Sequence, residues 1–122
     1  FDTLDHQMVY LKEKEGKRTF PIVIGAFEIQ EIQRKLKSIL SPRPMTHDLL
    51  GGTIRALGAE LLHVVINELK EGTFFARLIL RRLDGAVIEV DSRASDALAL
   101  ALQFSIPILV AEQVLEIAAQ DQ

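Results

Sequence analysis

The spacing of apolar residues changes several times along the chain, and each change marks an element. Met8 to Lys12 and Arg18 to Ile24 alternate apolar and polar residues around Glu15-Gly16, the pattern of two strands joined as a hairpin. Matching their apolar faces sets Val9 opposite Ile22 and Leu11 opposite Phe20. After Gly25 the period lengthens. Ile29, Ile32, Leu36 and Ile39 or Leu40 recur on one helical face, so a helix is expected over Ala26 to Leu40. Its acids, Glu28 and Glu31, come early and its bases, Arg34, Lys35 and Lys37, come late, as the helix dipole favours. Pro42 and Pro44 forbid its continuation. Thr46 is the expected N-cap of a second helix that reaches about Leu57, with Gly58 closing it. Gly51-Gly52 within that helix costs about 1 kcal/mol per residue relative to alanine. The helix is therefore expected to bend there or to meet a close neighbour.

A meander of three strands follows, at about Glu60 to Asn67, Thr73 to Arg82 and Ala86 to Asp91. Register decides its second turn. A two-residue loop would set Leu80 opposite Glu89 and mix the faces. A three-residue loop, Leu83-Asp84-Gly85, sets Leu78 opposite Val90, Leu80 opposite Ile88 and Arg77 opposite Asp91. Gly85 then takes the left-handed position of a bulge. Ser95 to Phe104 is apolar nearly all round and predicts a helix buried on several sides. A short strand, Ile108 to Val110, and a helix from about Glu112 to Ala119 complete the chain. The fold class is α+β: antiparallel strands, as an N-terminal hairpin plus a three-strand meander, packed with about four helices.

The length of 122 residues corresponds to one domain over 1–122, with a core from about 7 to 115. Cysteine is absent, which excludes a disulfide framework and thiolate metal sites. No apolar run approaches the roughly 18 residues of a membrane span, and no signal peptide is recognised. A soluble cytoplasmic protein is expected. The formal charge of −3 argues against a strongly basic nucleic-acid coat but leaves room for a local phosphate site.

Two polar clusters carry the candidate chemistry. Arg43-Pro44-Met45-Thr46-His47-Asp48 feeds a helix N-terminus, where free amides favour an anion. The plain alternative is a capped helix with a solvated histidine. Asp91-Ser92-Arg93-Ala94-Ser95-Asp96 joins a strand end to the buried helix. Ser92 or Ser95 can cap that helix, and Arg77 can pair with Asp91 across strands. A strand end, a helix start, two acids and an arginine also suit a phosphate or metal. His63 lies in an apolar strand and His6 near the start, and neither suggests a site.

Taken with their surroundings, these clusters resemble the bifunctional nuclease domain family. The likeness runs in order from about Gln7 to Leu115. It comprises Phe20-Pro21-Ile22-Val23-Ile24-Gly25 with Glu28, then Arg43 to Leu50, Gly72 to Leu78, Glu89 to Ala97 and Ile106 to Glu112. Ala94 stands where proline is common in the family, and Ser105 where glycine is common. The resemblance implies a compact α+β domain and a nuclease activity, since plant members are described as acting on RNA and DNA. Its polar signature falls on Glu28, Arg43, Thr46, His47, Asp48, Arg77, Asp91, Arg93, Ser95 and Asp96.

On this reading His47, Asp48, Asp91 and Asp96 are the candidate catalytic residues. Arg43, Arg77, Arg93 and Ser95 are the candidates for holding substrate. The three aspartates can orient water or hold a divalent ion such as Mg²⁺, though no metal ligand set is assigned. His47 can act as acid or base, and Arg43 and Arg93 can grip phosphate. The expected partners are RNA or DNA, bound weakly, and further copies of the chain. The alternative is a non-enzymatic, oligomeric interaction or regulatory domain. The two divide on one distance: a common site needs the His47 and Asp96 side chains within about 12 Å, and both Arg43 and Arg93 are expected near the His47 ring.

Overall fold

A computed structural model of the chain describes residues 6–38 and 42–120. The elements in order are β1 (His6–Lys12), β2 (Thr19–Gly25), α1 (Ala26–Leu36), α2 (Thr46–Ala56), β3 (Glu60–Lys70), β4 (Thr73–Arg81), β5 (Val87–Arg93), α3 (Ala94–Phe104), β6 (Ile108–Val110) and α4 (Glu112–Gln120). β1 and β2 form a two-stranded sheet, and a second sheet runs in the order β5-β4-β3-β6. The fold is α+β, as the patterning predicts. One pairing departs from an all-antiparallel arrangement: β6 lies parallel to β3.

The predicted registers hold in both hairpins. Val9 faces Ile22 and Leu11 faces Phe20. Leu78 faces Val90, Leu80 faces Ile88 and Arg77 faces Asp91. The Arg82 amide donates to the Ala86 carbonyl and the Gly85 amide to the Arg82 carbonyl, and Gly85 has φ +91°. A three-residue loop is thus what keeps the apolar face of β5 on the side of β4's core residues.

β3 is longer than its apolar run suggests, because it continues to Lys70 and turns at Glu71-Gly72. Leu61, Val64 and Ile66 are all buried, which a strict two-residue period cannot do. Register shifts between Leu61 and His63, and between Ile66 and Glu68, absorb the mismatch.

The helices correct three expectations. α1 ends at Leu36, short of the prolines, with Ser38 in a left-handed conformation at φ 55°. The remainder of the expected helix at 39–40 lies outside the described residues. The N-cap of α2 is Met45, one residue before Thr46, and Asp48 does the capping by accepting from the Met45 amide at 2.9 Å. Neither Ser92 nor Ser95 caps α3. Its N-cap is Arg93 without a side-chain cap bond, because β5 runs directly into the helix.

The core gathers around α3, which touches α1, α2, β3, β4 and β5. Ala94, Ala97, Leu98, Ala99, Leu100 and Ala101 are all buried. Alternating small and large residues let neighbours approach from several directions. Gly51 shows how closely. A Cβ there would strike the Gln103 amide and lie 2.9 Å from the Phe104 ring, whereas one on Gly52 would meet nothing within 4 Å. Gly51→Ala is expected to lower stability, because overpacking costs about 1–3 kcal/mol against roughly 1 kcal/mol of helix propensity gained. Urea unfolding of the variant beside the parent measures the sign.

Candidate active site

Four elements deliver one polar cluster. α1 carries Glu28, Glu31, Arg34 and Lys35 on neighbouring turns, a spacing that sets them along one side of the helix. His47 is the second residue of α2, and Asp96 the third of α3. Arg93 ends β5. The packing of α3 against α1 and α2 brings these side chains together.

His47 Nε2 lies 2.9 Å from Asp96 Oδ1, and His47 Nδ1 lies 3.8 Å from Glu31 Oε1. The His47 side chain is only 12% exposed, so it is not a solvated histidine. Arg93 holds Asp96 with two bonds, Nε to Oδ2 at 2.8 Å and Nη2 to Oδ1 at 2.9 Å, and reaches Glu28 through Nη1 at 3.1 Å. Arg34 bonds Glu31 at 2.7 Å and Asp48 at 2.9 Å, and Lys35 pairs with Asp48.

These pairings set the ionisation of the acids. Donation from His47, and then from Arg93, outweighs burial and holds the Asp96 carboxyl well below the usual carboxylate range. Burial opposes ionisation of Asp48, but Lys35, the Met45 amide and Arg34 together lower it to about 2. Arg34 likewise lowers Glu31. Because Asp48 has a lower pKa folded than its ordinary 3.8, its contribution to stability is complete above that value and vanishes as pH falls through about 2. Stability is therefore expected to drop between about pH 4 and pH 2, and to drop less in Asp48→Asn. Urea midpoints at pH 5 and pH 2.5 for both proteins test this.

A cavity of about 470 Å³ opens beside the cluster, lined by Glu28, Glu31, Arg34, His47, Arg93 and Asp96 among others. His47, Arg93 and Asp96 thus meet, well inside the 12 Å that a common site requires. The other sequence candidates lie elsewhere. Asp48 turns to Arg34 and Lys35 and lines a neighbouring hollow instead. Arg43 is exposed and does not line the cavity. Ser95 faces a separate hollow against β2, with Arg93 and Glu28 at its border. Arg77 and Asp91 are opposite each other on the sheet, as register demands. The Arg77 guanidinium, however, leans to its diagonal neighbour Glu89 at 3.5 Å, and neither residue lines the cavity.

Sequence reasoning passed over Glu31, Arg34 and Lys35, reading them as dipole partners. Their recurrence at one-face spacing on a helix whose other face is apolar was the available signal.

Among the described residues, no group of three or more His, Asp or Glu side chains is arranged to hold a metal ion. Asp48 and Asp96 are each engaged by two positively charged or ring-nitrogen partners. A Mg²⁺ ion would have to displace them, so these residues do not fit such an ion.

The chain from residue 9 to residue 122 matches the family model of the bifunctional nuclease domain. The chain belongs to that family. An uncharacterized protein of Mycobacterium tuberculosis is 44% identical over 108 residues, covering 88% of this chain and 63% of the relative. Bifunctional nuclease 1 of Oryza sativa subsp. indica and a bifunctional nuclease of Oryza minuta are each 25% identical over 112 residues, covering 89% of this chain but 34% of theirs. The bifunctional nuclease domain thus spans about a third of the rice proteins and under two thirds of the mycobacterial one. No helix among the described residues is long and apolar enough to cross a membrane.

Proposed function

We propose that this domain hydrolyses phosphodiester bonds of RNA, DNA or both, as a cytoplasmic enzyme, with His47 at the centre of the reaction. The observation that carries the reading is the 2.9 Å contact between His47 and Asp96 at the wall of a polar cavity that also holds Arg93. Hydrolysis needs a base for water, positive charge on the phosphorane and a proton for the leaving oxygen. With Nε2–H donated to Asp96, the Nδ1 lone pair of His47 is left to take a proton from water. Asp96 fixes that tautomer and stabilises the ring once charged. Arg93 spends three of its five N–H groups on Asp96 and Glu28. One hydrogen on each of Nη1 and Nη2 remains to grip a phosphate. Protonated His47 then returns its proton to the leaving oxygen.

Hydrolysis of labelled single-stranded RNA and DNA by rigorously purified protein, with and without Mg²⁺ or Mn²⁺, tests this. Cleavage unchanged by His47→Ala would remove the assigned base. Binding is expected to be weak and to fall steeply with salt, since few arginines face a chain of net charge −3. Tight binding that survives high salt would contradict the proposed contacts.

A second reading, an oligomeric interaction domain, is favoured by one other surface. Among the described residues β5 is an edge strand of its sheet, and Leu57, Leu83, Ile88 and Val90 leave an apolar groove beside it, with Leu83 82% exposed. On that reading further copies of the chain cover the groove and the polar network fixes loops. Light scattering of the parent and of Val90→Glu decides it, and a parent that stays monomeric at high concentration would dismiss it.

A further inference from the structure

We propose that a second groove, which shares Arg34 with the candidate active site, holds the backbone of a single-stranded nucleic acid beyond the reacting phosphate, with Arg55 as its phosphate contact. The inference rests on the nuclease reading above and names where the rest of its substrate lies.

The groove measures about 530 Å³ and runs between α1, α2 and the end of α3. That volume suits a short length of one strand rather than a duplex. Arg34 lines both cavities. Arg34, Lys35 and Arg55 stand against a single carboxylate, Asp48, in a chain whose overall charge is negative. The active-site cavity has three acids, Glu28, Glu31 and Asp96, against Arg34, Arg93 and His47. Glu31 pairs with both Arg34 and Lys35, so the positive charge that the groove has in excess is that of Arg55.

Arg34 and Lys35 are committed to Asp48 and Glu31. Arg55 is not. Its guanidinium carbon lies over the Phe104 ring, 4.3 Å from the centroid, and it has no carboxylate partner among the described residues. The cation–π contact holds the guanidinium at the ring while N–H groups stay available, a state in which arginine grips phosphate with less ordering left to do.

Gly52 supplies an independent sign. Asp48, Gly52 and Arg55 fall at one-face spacing on α2, and all three line the groove. Gly51 is accounted for by Gln103 and Phe104, but a Cβ at Gly52 would meet no protein atom within 4 Å. An exposed glycine inside a helix weakens it for no packing return. Bare backbone facing a cationic groove is what close approach of a ligand requires.

The test is fluorescence anisotropy of a labelled oligothymidylate in EDTA across a salt series, using the full chain. Arg55→Ala is expected to weaken binding about tenfold, the loss of one charged hydrogen bond, and to reduce the salt-dependence slope by about one. Arg55→Lys should keep the slope and recover part of the affinity. Gly52→Ala should raise the melting temperature by a few degrees and yet weaken binding, a split that a merely structural glycine would not give. A parent that binds, with both alanine variants binding equally well and with the parent's slope, overturns the groove and leaves the nuclease reading standing. A parent that neither binds nor cleaves overturns the nuclease reading, and the groove with it.

Discussion

Replacing Leu98 with aspartate is expected to abolish stable folding. Leu98 is 2% exposed on α3, the helix that meets both neighbouring helices and the large sheet. A carboxylate there has no cation to meet and no route to water, since its neighbours on α3 from Ala97 to Ala101 are also buried. Charge burial of this kind costs about 4–5 kcal/mol or more, a large share of the roughly 5–15 kcal/mol that holds a domain together. Ile117→Asp is the control. Ile117 is 46% exposed on α4, so that change should shift stability by only about 0.5 kcal/mol. Thermal melts by circular dichroism compare the two, and a Leu98→Asp protein melting near its parent would contradict the central placement of α3.

The second large effect concerns chemistry. His47→Ala is expected to lower phosphodiester hydrolysis by about 10²–10⁴-fold, the span of general acid–base catalysis. The fold should survive, because the ring sits at the cavity wall rather than in the apolar core. Asp96→Asn should lower the rate as well, since an amide can donate to His47 Nε2 and so move the proton to the wrong nitrogen. The two residues act as one unit in this account. The double variant should therefore be no slower than His47→Ala alone. Losses that simply multiply would mean the two side chains act separately, despite their 2.9 Å contact.

What the sequence made legible depended on whether periodicity had one solution. Register was such a case: of the two-residue and three-residue turns, only the three-residue one keeps Leu78, Leu80, Ile88 and Val90 on a common face, and that alignment is observed. Boundaries set by competition among local bonds were less legible. α1 stops at Leu36 although its apolar pattern continues, and Asp48 outcompetes Thr46 as the group that closes the start of α2. The parallel pairing of β6 with β3 had no local signature, because it is fixed by how α3 returns the chain across the sheet.

The site divides in the same way. His47, Arg93 and Asp96 stood out as members of the two polar clusters, and they meet, whereas Arg43 of the same clusters does not line the cavity. Asp91 and Arg77 stood in the same sequence cluster or across from it, yet they pair one step further into the sheet, and only Arg93, at the end of β5, reaches the cavity. The α1 contribution of Glu31 and Arg34 depends on tertiary packing of α1 on α3, which spacing alone does not specify.

The most direct test of the central claim is the nuclease rate measured across a final size-exclusion peak, for the parent and for a His47→Ala/Asp96→Ala double variant prepared in parallel. The account predicts cleavage of single-stranded nucleic acid that follows the parent protein through the peak and is lost by at least about 10²-fold in the double variant, with both proteins eluting and melting as folded domains. Equal cleavage by the two preparations, or activity that separates from the protein, would contradict it.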